Sequence, residues 1–352
     1  MRSASPVARI ALGASVTLAL GGCAPSGHES SAAKPPAATA RLVYMDATKV
    51  PTLGAAGYEL VTMGLDRSNP RQLTSNTTQE FLPHFSPDAT RVLYTKYISG
   101  NHDDPTARSV IAVLDLATLI ETELTSSGTD AYAVWSPDGR RIAFLSARAA
   151  AHGSRALWLM NADGTEQHPL AAPAGTAGDL SWGDLAWSSD DWIVLVVTEN
   201  ISGCRKARLD KLRPDGSKRT QLTDGGGSCT PEGMDLIGDA DPAVSPDGRT
   251  VYSSRGFARA VAGTSQRAER RLYAFSSTAW TAAKPATDLT PGPAAGCLEA
   301  LPKVSPDGTQ LLLYRECLEG DAPSGTYLTD LAGRARAFVV NGLAADWAPA
   351  QR

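Results

Sequence analysis

The sequence is short of the features that mark several common protein classes. Its 352 residues include only 5 Cys, 5 His and 5 Met, and aromatic residues make up 6%. No two cysteines have C-x-x-C spacing, so a thiolate metal site is not expected. No G-x-S-x-G segment occurs, which removes the nucleophile elbow of the α/β-hydrolases. Positive charge is not in surplus, since 33 Lys and Arg stand against 37 Asp and Glu. A chain of net charge −4 is not expected to bind nucleic acid. The apolar run near the start, Ile10 to Leu20, is too short to cross a bilayer as a helix.

What is plentiful is turn-forming sequence. With 32 Gly and 23 Pro among 42% hydrophobic and 20% charged residues, the composition suits many short strands, and an all-β fold is expected. Arg2 and Arg9 ahead of the Ile10 to Leu20 run read as an export signal over residues 1–22. The segment Leu20-Gly21-Gly22-Cys23 resembles the bacterial lipobox. That resemblance implies lipidation of Cys23 as the first mature residue and a membrane anchor through it, which is stable when two or more acyl chains are attached. Residues 23–40, with Ser30, Ser31, Pro35 and Pro36, have no apolar period and read as a flexible spacer. Loss of Arg2 and Arg9 leaves 31 basic against 37 acidic residues, a charge of about −6 on the mature chain. Four cysteines remain, Cys204, Cys229, Cys297 and Cys317, and an even count in an exported chain points to two disulfides.

One short pattern recurs six times: an apolar residue, then Ser-Pro-Asp-Gly or a relative, then an apolar strand. The copies are Phe85 to Ala89, Trp135 to Gly139, Trp187 to Asp191, Val244 to Gly248, Val304 to Gly308 and a decayed Trp347-Ala348-Pro349. The steps between them, 50, 52, 57, 60 and 43 residues, fit four-stranded units with loops of varying length. Pro fixes φ, Asp accepts from backbone donors and Gly tolerates positive φ, so the pattern is a hairpin turn rather than a site. After it come apolar strands such as Arg91 to Tyr94 and Arg141 to Phe144, read as alternating, and outgoing strands that end in Leu-Thr, as at Leu73-Thr74 and Leu222-Thr223.

A unit reading strand, W-S-P-D-G, I-A-F strand, L-W-x-M strand, D-G, strand, Q-L-T resembles the repeat of the TolB-like propellers over about residues 41–350. The resemblance implies a six-bladed β-propeller of four-stranded antiparallel blades, occupying residues 41–352. It also implies that the strand before Ser-Pro-Asp-Gly is the innermost, A, followed outward by B, C and D. The last A strand, Leu343 to Trp347, lacks a following B strand, and Arg41 to Met45 can supply it, so that the N-terminal strand closes the ring. In this register Cys204 pairs with Cys229 and Cys297 with Cys317, each at one end of a hairpin.

The long segments, 49–57, 98–108, 171–184, 224–241, 257–269 and 291–300, all fall between strands B and C or D and A, so that face is the expected binding surface. Six residues before the turn Ser stand Glu80, Asp130, Asp239 and Glu299, with Trp182 at the equivalent place in the third unit; Asp184 and Asp241 lie two residues nearer the turn. Matched offsets are expected to gather these acids around the channel mouth, where they would attract a cation or a basic ligand. His84, Lys303 and Asp346 share the offset two before the turn. The functional expectation is a non-catalytic extracytoplasmic lipoprotein that binds an envelope protein, peptide or polymer, on the outer side of the cytoplasmic membrane or in the periplasm. The alternative is a carbohydrate-active enzyme, similar to the polysaccharide lyases of the same repeat, with a divalent cation on the acidic ring.

Overall fold

The Ser-Pro-Asp segments close their turns with their own side chains. Ser86, Ser136, Ser188, Ser245 and Ser305 are buried. Each donates its hydroxyl to the Asp two residues on, at 2.5 to 2.6 Å. The same oxygen accepts from the amide leading into the next strand, that of Arg91, Arg141, Trp192, Thr250 or Gln310, at 2.9 to 3.0 Å. These bonds, the Ser hydroxyl first, hold the carboxyls of Asp138, Asp247 and Asp307 below the usual range. The last turn position has positive φ, met by Gly139, Gly248 and Gly308 and, in the two departing copies, by Ala89 and Asp191.

The computed structural model describes residues 40–46, 57–102, 104, 106–148, 155–170, 185–201, 204–226, 237–259, 267–278, 286–290, 297–317 and 322–350. Among these residues there are strands and no helix. Strand β1 (Arg41–Asp46) pairs antiparallel with β2 (Glu59–Gly64), and β2 with β3 (Arg71–Gln72). The next unit is β4 (Gln79–Phe85), β5 (Arg91–Ser99), β6 (Arg108–Asp115) and β7 (Glu121–Glu123), antiparallel throughout. It is followed by β8 (Asp130–Trp135), β9 (Arg141–Ser146), β10 (Ala156–Asn161) and β11 (His168–Pro169). Then come β12 (Ala186–Trp187), β13 (Ile193–Ile201), β14 (Cys204–Leu212) and β15 (Thr220–Gln221). The same order holds for β16 (Ile237–Val244), β17 (Thr250–Arg259), β18 (Arg267–Ser276) and β19 (Thr287–Asp288). It holds again for β20 (Cys297–Val304), β21 (Gln310–Cys317), β22 (Gly325–Asp330) and β23 (Ala337–Val340). Strand β24 (Leu343–Trp347) pairs antiparallel with β1, Leu42 opposite Trp347 and Val43 opposite Asp346.

Neighbouring units touch where the third strand of one meets the first strand of the next in parallel. Ala207 lies opposite Gly238, Arg270 opposite Leu298, and Ser109 opposite Thr129. Gly238 is required at its contact, because a Cβ there would stand 2.0 Å from the Ala207 carbonyl oxygen. Strands β4, β8, β16 and β20 each carry a bulge four residues before the turn Ser. Leu82, Tyr132, Asp241 and Leu301 take positive φ there, and Ala344 does so in β24.

The core lies between the units rather than within any one of them. Leu93, Ile111 and Val113 of one unit pack with Ala133, Phe144 and Met160 of the next. Tyr252 and Leu272 pack in the same way with Leu311 and Leu313. The middle strands are therefore covered on both faces. Val92, Leu93 and Tyr94 are all fully buried, where the sequence reading expected an alternation of buried and open positions. Cationic residues add to these contacts on the turn side: Arg41 lies over Phe85, Arg91 over Trp135 and Arg141 over Trp187, each reaching from the second strand of one unit to the first strand of the next.

Candidate functional site

The innermost strands converge on one cavity of about 950 Å³. It lies at the Ser-Pro-Asp side and takes lining residues from β4, β8, β12, β16, β20 and β24 or the turns that follow them. Its wall is part aromatic, through Trp135, Trp187 and Trp347, and part polar, through His84, Lys303 and Asp346. The last three share one offset before the turn, and the structure brings them to one place. Asp346 Oδ2 accepts from the Phe85 amide at 3.0 Å and lies 3.8 Å from His84 Nδ1. The Trp347 indole donates to the Lys303 carbonyl at 3.1 Å, which ties the last two innermost strands together. These groups suit recognition by stacking, apolar contact and a few directed hydrogen bonds. None of the described residues of the long segments lines this cavity. Those segments are mostly outside the described residues, as are Trp182, Asp184, Cys23 and Cys229.

The acids singled out by their offset occupy a different environment from the one expected. Glu80, Asp130 and Asp239 are fully buried, Glu299 is 1% exposed and Asp241 is 7% exposed. An acid lining an open mouth would keep its water; these have exchanged it for fixed partners. Arg148 donates to both oxygens of Asp130, at 3.1 and 2.6 Å, and Ser127 adds a bond at 2.7 Å. Arg255 grips Asp239 at 2.6 and 3.0 Å, and Arg336 grips Glu299 at 2.8 and 2.8 Å. Burial pushes the Asp239 carboxyl up, with Arg255 pulling against it. Asp241, at a bulge position, accepts from Ser254 at 2.7 Å and pairs with Arg270 at 3.2 Å. The expected ring of free carboxylates is thus corrected. Three of the four are neutralised by a guanidinium, so they do not sum to an attracting field.

The Leu-Thr ends of the outermost strands explain why an acid stands at that offset. Thr74, Thr125, Thr223 and Thr290 each accept from a third-strand amide, that of Leu60, Ile111, Leu209 or Leu272, at 2.8 to 3.0 Å. Thr74 and Thr290 then donate to the acid that begins the following unit, Glu80 at 3.2 Å and Glu299 at 3.3 Å. The acid and the threonine form a clasp between consecutive units.

Glu80 departs from the pattern. It accepts from Asn76 and Thr78 at 2.9 Å each and from Thr74, but from no guanidinium or ammonium among the described residues. Burial, reinforced by the nearby Glu59 carboxylate, pushes its carboxyl up to about 7. Sequence reasoning missed Glu59 because nothing in its own segment distinguishes it from an ordinary strand residue. Among the described residues no group of three or more His, Cys, Asp or Glu side chains is placed to hold a metal. Cys297 and Cys317 are joined, as the strand register requires, at the paired ends of β20 and β21.

The strand order, the turns and the inter-unit core define a TolB-like β-propeller. TolB from Acinetobacter baumannii superposes with a TM-score of 0.62 at 18% identity, covering 89% of this chain and 67% of that one. A putative TolB from Agrobacterium tumefaciens gives 0.55 at 15% identity, over 86% of this chain and 88% of its own. An oligogalacturonate lyase in complex with manganese gives 0.50 at 16% identity, over 84% and 70%. At these identities the likeness is one of fold. No protein-family model matches the chain, and no curated protein does.

Proposed function

We propose that this chain is a non-catalytic binding or scaffolding module outside the cytoplasm, a six-bladed propeller that receives its partner at the cavity on the Ser-Pro-Asp face. The observation that carries the reading is that every innermost strand contributes to one aromatic and polar cavity of about 950 Å³. Six sets of four strands, with β24 paired to β1, support a ring of six blades closed by the N-terminal strand. In this reading residues 1–22 direct export, Cys23 carries the lipid anchor, residues 23–40 form the spacer and residues 41–352 the propeller. The module then sits on the outer side of the cytoplasmic membrane or in the periplasm. Its partner is an envelope protein, peptide or polymer, and nucleic acid is not a partner of a chain with this charge.

The test is a photo-crosslinker placed at Ser189, which lines the cavity, or at Ile120, which is 64% exposed and does not line it. Crosslinking in cell envelopes is expected to give discrete adducts from position 189 and none of the same mass from position 120. The adducts should fall sharply when Asp346→Asn and Lys303→Met are combined. Adducts that survive that double substitution, or that match those from position 120, would exclude the cavity as the docking place.

The likeness to a manganese-bound oligogalacturonate lyase favours one second reading, cleavage of a uronate polymer. It is checked by following absorbance near 235 nm with polygalacturonate and Mn²⁺ or Ca²⁺. Steady growth of an unsaturated product would replace the binding reading.

A further inference from the structure

The repeated units act as internal controls for one another. In three of them the buried acid that opens the innermost strand is held by a guanidinium, as Asp130, Asp239 and Glu299 show. In the unit that opens with β4, Lys96 stands opposite Glu80 in the ladder, yet its ammonium goes to Glu121 and Glu123. What approaches Glu80 is a second carboxylate. Glu59 directly precedes Leu60, whose amide bonds to Thr74. The residues in the same place in three other units, judged by the same amide-to-threonine bond, are Val110, Arg208 and Arg271. Among these four interfaces, an apolar or positive residue is replaced by a negative one only beside Glu80.

The two carboxylates share Asn76. Its backbone amide donates to Glu59 Oε1 at 2.9 Å, and its side-chain amide donates to Glu80 Oε1 at 2.9 Å. Glu59 is 1% exposed and Glu80 is not exposed at all. Among the described residues, Glu59 Oε2 is buried without any hydrogen-bond partner. A carboxylate offers about four acceptor positions, and the described residues fill only one of those on Glu59. A buried pair of carboxylates with an orphaned oxygen is neutralised by a proton or by a cation, because an unpaired buried charge costs several kcal/mol.

We propose that Glu59 and Glu80 bind a calcium ion between β2 and β4. The donors are all oxygens, the ligand class of hard cations, and calcium accepts six to eight oxygens in loose geometry that includes backbone carbonyls and water. Magnesium demands a near-octahedral shell and gives up its waters reluctantly, which a buried pair of this kind does not suit. Neither residue lines the cavity on the Ser-Pro-Asp face, so this is a separate site. Since β2 carries β1, and β1 carries β24, the ion fastens the strand pair from the start of the chain to the unit that follows it.

The test uses the full-length chain at pH 8, with thermal unfolding recorded in chelator and in about 5 mM Ca²⁺, a concentration chosen for sites of extracellular modules. Calorimetric titration with CaCl₂ runs in parallel. The wild type is expected to gain roughly 3 °C or more and to titrate with one calcium per chain. Glu59→Gln and Glu80→Gln are each expected to keep the strand signal in circular dichroism while the calcium affinity falls by at least about tenfold. The wild-type titration decides the question even if a variant does not fold. The proposal is overturned if calcium leaves the wild-type midpoint unchanged, or if Glu59→Gln responds as the wild type does. A magnesium response equal to that of calcium at the same concentration would overturn the choice of ion. Stabilisation of both variants in chelator, beside a wild type that takes up no calcium, would show that a shared proton does the work instead.

Discussion

Asp239 and Glu80 hold the same place in two units and solve the same electrostatic problem in different ways. Asp239 has Arg255 at 2.6 Å, and Arg255 also lies against the rings of Tyr273 and Phe275. Arg255→Ala leaves that buried carboxyl without its guanidinium, and is expected to cost about 3–5 kcal/mol in urea unfolding. Adding Asp239→Asn should recover part of the loss, since the orphaned carboxyl is then gone. Glu80 instead keeps a proton to about 7, above the ordinary 4.5. The folded chain then binds a proton that the unfolded chain releases, so stability is full below about pH 4.5 for this group and declines as pH rises to 7. Measured in chelator, the loss should total about 1–3 kcal/mol and level off above pH 8. Glu80→Gln should abolish that decline and raise the midpoint at pH 8. A variant that follows the wild-type curve would assign the pH dependence to another group. The offset of these acids is legible in the sequence, but their burial is not, because it depends on side chains contributed by neighbouring units.

At the scale of elements, the turn is the most local device and the most readable one. Ser, Pro, Asp and Gly satisfy each other within five residues, so five copies could be recognised from the chain alone and all five fold alike. The strand register was legible through the same anchors, and it correctly joined Cys297 to Cys317, which closes a span of 20 residues. Cys317→Ser is expected to lower stability by about 2–4 kcal/mol under oxidising conditions, with no further loss when reductant is added. An equal midpoint for variant and wild type would mean that the bond adds nothing to the paired strands. The bulge at Leu82, Tyr132, Asp241 and Leu301 was not legible, because residues of such different kinds share the conformation. It is set by the meeting of units, and the sequence carries no common signal for it.

For the whole molecule, the pairing of β24 with β1 gives the first described strand a role far larger than its six residues suggest. Its side chains Leu42 and Tyr44 pack with Leu312, Val339 and Trp347 from the other end of the chain. A chain that begins at residue 39 keeps this strand, and one that begins at residue 47 loses it, exposing a sheet edge. The shorter chain is expected to melt at least about 5 °C lower in calorimetry, with a broader transition. Equal melting of the two would exclude closure by β1 as a source of stability.

The sequence by itself determined the all-β class, the repeat, the turns, the order of strands and one disulfide, because each rests on contacts among residues close in the chain or on strand register. The tertiary structure alone decided that the acids are buried in clasps rather than gathered at a mouth, that Glu59 stands beside Glu80, and that the described cavity opens at the Ser-Pro-Asp face. Those outcomes depend on how facing units exclude water and which charges they bring together. That is a sum over side chains distant in sequence, and no single repeat contains it.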